Sequence, residues 1–241
     1  MATITQTTLD QLRQFDTPTI CNVIELFEVR PYTEGYMDRT IKAAFPEFPP
    51  MVGFASTVTC RTAVKPLGGG AYTALPDQVD RFAELAGPPV VVFQDLDGAS
   101  AAATFGEIMC TTYQAAGAVG LVTNGPGRDL EQVKAISFPV FTDGAVCSHG
   151  HIQILESHVP VLVGGIVIYA GDLLHGDCNG VTTIPLEIAG EVADAAAEFV
   201  AAEQVMLDVL HNEPFSTTRL REVAAEKDVL VGKLKARIRA R

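Results

Sequence analysis

Arg128 and Asp129 stand side by side after an apolar run and a Gly125-Pro126-Gly127 bend. An arginine beside an aspartate offers a fixed planar cation and a hard oxygen ligand at one point of the backbone. That pairing suits a carboxylate and a divalent cation bound together. The structural alternative is a helix start, with Asp129 serving the first turn and Arg128 lying in solvent. Upstream, Phe105-Gly106-Glu107 opens a segment rich in small residues. A helix beginning there would present unpaired backbone N–H groups to an anion.

These residues need elements to hold them together. From Phe105 to Leu130 the spacing predicts a turn, a helix over Gly106–Gly117, a buried strand over Val119–Thr123 and the glycine bend. If the helix packs antiparallel to its strand, its N-terminus comes near the strand exit that carries Arg128 and Asp129. Val90 to Phe93 read as the preceding buried strand, so a β-α-β unit with parallel strands and a right-handed crossover is expected. A helix over Leu130–Ile136 and a strand at Pro139-Val140-Phe141 continue the winding.

Outside this unit, Leu9, Leu12 and Phe15 fall at helical spacing. Asp16-Thr17-Pro18 stops that helix and starts another, with Ile20, Val23, Ile24 and Phe27 on its apolar face. Arg30 to Pro50 contains four prolines and reads as a long loop. Gly53 to Cys60 reads as a strand, and Pro76 is expected to begin a short helix that Pro88-Pro89 closes. Beyond His158, short β runs at Val159–Val163, Ile166–Tyr169, Leu173-Leu174 and Val181–Ile184 predict an antiparallel meander. A long helix follows over Pro185–Leu210, Glu213-Pro214 breaks it, and Ser216 or Thr217 caps a last one.

The 241 residues, 48% of them hydrophobic, bound a single substantial core with appended helices. No apolar run reaches the ~20 residues of a membrane span, and Met1 to Gln6 lack the regions of a signal peptide. A cytoplasmic protein with no membrane partner is expected. A net charge of -12 argues against nucleic acid. Cys21, Cys60, Cys110, Cys147 and Cys178 form an odd set without CxxC spacing and are expected as buried free thiols. Lys227, Lys233, Lys235, Arg237, Arg239 and Arg241 face only Asp228 in the last fifteen residues. This tail either docks on an acidic neighbour or ends as a solvated helix. Its apolar stripe, Leu220, Val223, Leu230, Leu234 and Ile238, is expected to pack partly across a subunit boundary or to fold back on its own subunit.

Other motifs carry less. Gly68-Gly69-Gly70 lacks the Lys-Ser/Thr of a phosphate loop, and Gly125-Pro126-Gly127 lacks the third glycine and following acid of a dinucleotide fingerprint. His149-Gly150-His151 on an extended segment would turn both rings to one side, yet such a pair in a loop is more often surface decoration. Ser148 beside it makes no triad by sequence alone.

Taken together, Phe105-Gly106-Glu107, Gly117-x-x-Gly120, Asn124-Gly125-x-x-Arg128-Asp129, Phe138-Pro139-Val140-Phe141, Val163-Gly164-Gly165 and Gly171-Asp172 through Asn179-Gly180-Val181 resemble the RraA-like family. That family contains divalent-metal 4-hydroxy-4-methyl-2-oxoglutarate / 4-carboxy-4-hydroxy-2-oxoadipate aldolases and the regulator of ribonuclease activity A. The resemblance runs from about Thr17 to Pro185. It implies a swivelling β/β/α fold with mixed sheets, to which this chain adds N-terminal and C-terminal helices. The division expected is an α/β domain over 1–185, including the N-terminal helices, and a helical extension over 186–241.

The resemblance also implies roles and an assembly. Asp129 would ligate Mg²⁺ or Mn²⁺, Arg128 would bind substrate, and Glu107 would hold a water on that metal. Backbone N–H groups around Gly106, Ile108 and Met109 would receive the pyruvyl carboxylate. A homotrimer or hexamer would place the site between subunits, with Glu25, Glu34 and Glu213 as candidate acids from a neighbour. The activity implied is metal-dependent cleavage of a 4-hydroxy-2-oxo acid to pyruvate and a carbonyl product, with oxaloacetate decarboxylation at the same site. The alternative is a non-catalytic regulator that binds a protein partner. A methyltransferase finds no S-adenosylmethionine loop. Two positions depart from the family pattern: Asn124, where many members carry Asp, and Gly127, where they carry an aliphatic residue.

Overall fold

The computed structural model describes residues 4–68, 71–97 and 102–239. Gly69 and Gly70 of the glycine run, and Arg241 of the basic tail, lie outside the described residues. Contacts divide the chain into two compact units, Met1–Tyr32 with Leu186–Arg241, and Thr33–Pro185.

The first unit is helical: α1 (Gln6–Leu12), α2 (Thr17–Phe27), α6 (Ala189–Asn212) and α7 (Thr217–Arg239). Thr5 caps α1 by accepting the Thr8 N–H at 3.2 Å, and Asp16 caps α2 by accepting that of Thr19 at 2.8 Å. The N-terminal helices, expected with the α/β domain, group here with the C-terminal ones. The reason is packing: Leu9, Leu12, Ile20, Val23 and Ile24 are buried, and α1 and α2 both pack on α6. The Glu213-Pro214 break lets α7 fold back along α6, burying Val223, Leu234 and Ile238. Lys235 and Arg239 pair with Glu28, and Arg237 pairs with Glu198 at 2.7 Å. Three of the five stripe residues and three of the tail's cations thus find partners within the chain, the fold-back alternative, while Leu220 and Leu230 stay half-buried. Among the described residues, no helix is long and apolar enough to cross a membrane.

The second unit carries β1 (Lys42–Ala43), β2 (Met51–Arg61), α3 (Ala71–Asp80), β3 (Pro89–Asp95), α4 (Glu107–Ala115), β4 (Gly120–Thr123), α5 (Leu130–Ala135), β5 (Val140–Thr142), β6 (Gln153–Ser157), β7 (Val161–Val163), β8 (Ile166–Ile168), β9 (Leu173–Asp177) and β10 (Gly180–Ile184). The main sheet runs β1-β5-β4-β3-β2-β9-β10, with β6 also paired to β2. Strands β2, β3, β4 and β5 are mutually parallel neighbours, and the others join antiparallel. The expected β-α-β unit is thus β3-α4-β4. This is the mixed-sheet swivelling β/β/α fold.

Side chains on β3 alternate between two cores, as the period of two requires. Val91 and Phe93 join Phe105, Cys110, Tyr113 and Phe138 on the side of α4 and α5, while Val90 and Val92 join Met37, Val161, Val163 and Ile168 on the other. A strand buried on both faces reads as an unbroken apolar run, which is what Val90 to Phe93 show.

Several boundaries differ from expectation. The helix α3 begins at Ala71, with Pro76 inside it rather than at its start; the missing N–H leaves one intrahelical bond unmade. Buried Gln78 ties α3 to the core, its Oε1 accepting from Tyr113 Oη at 2.6 Å. Strand β6 precedes His158, where no strand was expected, because its pattern is too exposed to alternate cleanly. The meander divides: β9-β10 extends the main sheet, whereas β7-β8 forms a separate two-stranded one. All five cysteines are free; Cys60 and Cys110 are buried, but Cys147 and Cys178 are exposed, against expectation.

Candidate functional site

The bend that ends β4 is pinned from two sides. Thr104 and Arg128 donate their N–H groups to Pro126 (2.8 Å) and Phe105 (3.2 Å), and Gly127 exchanges bonds with Gly144 (3.0 Å) and Val146 (2.9 Å). Residues 103–105, 126–128 and 144–146 thereby lie as three adjacent extended segments. A Cβ at Gly127 would stand 1.8 Å from the Phe105 ring, so Phe105 excludes any side chain there. That explains the departure from an aliphatic residue. Asn124 explains itself likewise: its Oδ1 accepts the Asp95 N–H at 2.7 Å and its Nδ2 donates to the Asp95 carbonyl at 3.1 Å. An aspartate could accept there but not donate.

Asp129 adopts the left-handed region (φ 56°), where Asp and Asn are tolerated. This turns its carboxylate toward the start of α4. Oδ2 accepts the Glu107 N–H at 3.2 Å and lies 3.6 Å from Arg128 Nε. A Cβ at Gly106 would fall 2.7 Å from that oxygen, so glycine permits the approach. Gly106 gives α4 no side-chain cap, and the N–H groups of Ile108 and Met109 have no hydrogen-bond partner among the described residues. The sequence-derived set Gly106, Glu107, Ile108, Met109, Arg128 and Asp129 therefore comes together at one place. Burial, with the Asp129 charge adding to it, pushes the neighbouring Cys110 thiol up to about 12, so it is not a nucleophile at neutral pH.

All six line a single cavity of about 590 Å³. Its second wall holds Lys65, Tyr72, His149 and His151, which were not assigned to a site from sequence. The histidine pair, expected as decoration, lines the cavity on an irregular segment tied to the chain on both sides. His151 N–H donates to the Thr62 carbonyl at 2.8 Å, and Ala103 N–H donates to the Ser148 carbonyl at 3.0 Å. The alternation in His-x-His was the available signal, and what it lacked was a partner strand. Of the acids considered from a neighbouring copy, Glu213 pairs with Arg219 at 3.0 Å and Glu34 is exposed.

A cation can be tested against these donors. Asp129 Oδ1 takes no hydrogen bond among the described residues, and no group of three His, Cys, Asp or Glu residues is gathered there that could hold a metal alone. One carboxylate on an open cavity fits a hard cation that keeps most of its waters, such as Mg²⁺ or Mn²⁺, and does not fit zinc.

A Halalkalibacterium halodurans protein provisionally named 4-hydroxy-4-methyl-2-oxoglutarate aldolase is 32% identical over 136 residues, covering 52% of this chain and 65% of that protein. The chain thus spans just under two thirds of that relative's length. Among solved structures, an uncharacterized protein from Pseudomonas syringae pv. tomato superposes with a TM-score of 0.72 at 22% identity, over 93% of this chain and 95% of that one. A structure described as Streptomyces coelicolor RraAS2, an unusual member of the RNase ES inhibitor RraA protein family, gives 0.66 at 20% identity, over 85% and 97%. Both share the fold. A model of the RraA-like family, described as Aldolase/RraA, matches residues 17–183, and the chain belongs to that family.

Proposed function

We propose that the protein is a lyase that cleaves a 4-hydroxy-2-oxo acid to pyruvate and a carbonyl product, using a divalent cation. The observation that carries this is the meeting of Arg128, Asp129 and the open N-terminus of α4 in one cavity. The N–H groups of Ile108 and Met109, with the helix dipole behind them, receive the substrate carboxylate. Asp129 would hold the Mg²⁺ or Mn²⁺, which supplies Lewis-acid polarisation of the 2-keto group. As the C3–C4 bond breaks, its electron pair moves toward the 2-keto oxygen. Arg128 stabilises the charge there with a guanidinium that stays protonated. Glu107, exposed in the first turn of α4, takes the C4 hydroxyl proton through an intervening water. Protonation at C3 then yields pyruvate. The aldolase-named relative supports the reaction class. A homotrimer or hexamer is part of the same proposal.

The family description joins aldolases with RraA, and this supports a second reading, a non-catalytic regulator that binds a protein partner. One assay separates them. Incubation with oxaloacetate should release pyruvate with Mg²⁺ and not with a chelator; release no faster than in a protein-free Mg²⁺ control would favour the regulator.

A further inference from the structure

The second wall of the cavity differs in chemistry from the first. On it Tyr72, 54% exposed, lines the cavity with Pro66 and Ile152, and the Ile108 side chain of α4, 63% exposed, lines the same space from the first wall. Exposed apolar groups gathered around a concavity mark a binding surface, because covering them removes apolar area from water. Among the lining residues Arg128 is the sole arginine, and it stands at the Asp129 end. Lys65 is exposed, so its head group can extend into solvent while its stem adds apolar contact. A carboxylate arriving at this end meets no planar cationic fork. A ring or branched chain meets Tyr72, Ile108, Pro66 and Ile152, and the Tyr72 ring can stack against it.

We infer that this wall selects 4-hydroxy-2-oxo acids whose C4 bears an aryl or branched alkyl group, so that the carbonyl product is an apolar aldehyde or ketone. The inference rests on the lyase reading for the orientation of the substrate, with its carboxylate at α4 and C4 toward the second wall. His149 fits the same placement. Its Nδ1 donates to the Gly150 carbonyl at 3.1 Å, which fixes the ring as one side of the space for the C4 substituent.

Inert analogues lacking the 4-hydroxyl separate binding from chemistry. Titration calorimetry of the full chain with Mg²⁺ would compare 2-oxo-4-phenylbutanoate with 2-oxoglutarate. The phenyl compound should bind at least about ten-fold tighter, a difference of about 1.4 kcal/mol. Tyr72→Ala should remove most of that preference and leave the affinity for 2-oxoglutarate within about two-fold, while Tyr72→Leu, which keeps an apolar side chain, should retain part of it. Equal affinities, tighter 2-oxoglutarate, no measurable binding of the phenyl compound, or equal losses for both compounds in Tyr72→Ala would each overturn the subsite. The lyase reading fails differently: the preference persists while oxaloacetate with Mg²⁺ gives no pyruvate.

Discussion

The wall that carries Arg128 and Asp129 is threaded through buried backbone, with Gly127 bonded to Gly144 and Val146 and closed by Phe105. The wall that carries Tyr72 and His149 hangs on a few backbone bonds and presents half-exposed side chains. A site that stabilises developing charge needs its donors fixed before the charge appears, since reorientation during the reaction costs what the donors would contribute. A surface that selects a substituent tolerates more play. The difference predicts that small changes to the first wall cost turnover, whereas changes to the second shift preference.

The largest effect should come from Asp129→Asn. Asn tolerates the left-handed backbone and can still accept the Glu107 N–H, so geometry and thermal midpoint should hardly change. Activity and Mn²⁺ binding should both vanish. Undiminished Mn²⁺ affinity by calorimetry would sink the assignment of this carboxylate. Next comes Arg128→Lys, which keeps the charge and loses the fork. A loss of about 2–4 kcal/mol of transition-state stabilisation is expected, as for a missing oxyanion donor. Near-normal kcat would show that the guanidinium is not at the developing charge.

Gly127→Ala tests the rigidity itself. The added methyl must displace a buried ring, at a cost of about 1–3 kcal/mol for overpacking. Phe105→Leu in the same chain should recover part of that stability by opening space. If the single variant is as stable and active as the parent, the first wall is softer than its bonding implies.

Much of the first wall was legible because its parts are close in sequence. The helix, the strand and the bend lie within Phe105–Leu130, and the packing of a helix on its adjacent strand brings Glu107 to Asp129 without knowledge of anything distant. The second wall was not legible, since His151 is held by Thr62 and His149 pairs with Ala103 across separations that no local pattern records. The same reason hid β6, whose place is set by β2, and the grouping of α1 and α2 with α6. Gly127 illustrates the limit from the other side. It stood out as a departure from the family, yet its cause was the ring at Phe105, within the very motif that identified the family.

The smallest effect concerns how β6, the strand that follows the second wall in the chain, is anchored at low pH. Beyond β6, His158 lies with its side chain 4% exposed, Nε2 at 3.2 Å from buried Ser56 Oγ and Nδ1 at 3.1 Å from Glu84 Oε2. Burial lowers its pKa first, the Arg81 charge lowers it further, and Glu84 opposes both. In the unfolded chain the ring regains the ordinary value of about 6.5, so on acidification the unfolded state takes up the proton before the folded one does. The stability this residue contributes is therefore present above about pH 6.5 and is lost as pH falls toward and through the lowered folded value. His158→Asn keeps a residue tolerant of the left-handed backbone (φ 57°) and removes the titration. Thermal midpoints measured between about pH 7 and pH 5 should then fall less steeply than in the parent, while the pH 7 value changes little. An unchanged slope would show that the acid sensitivity lies in other groups and that β6 is held independently of this ring.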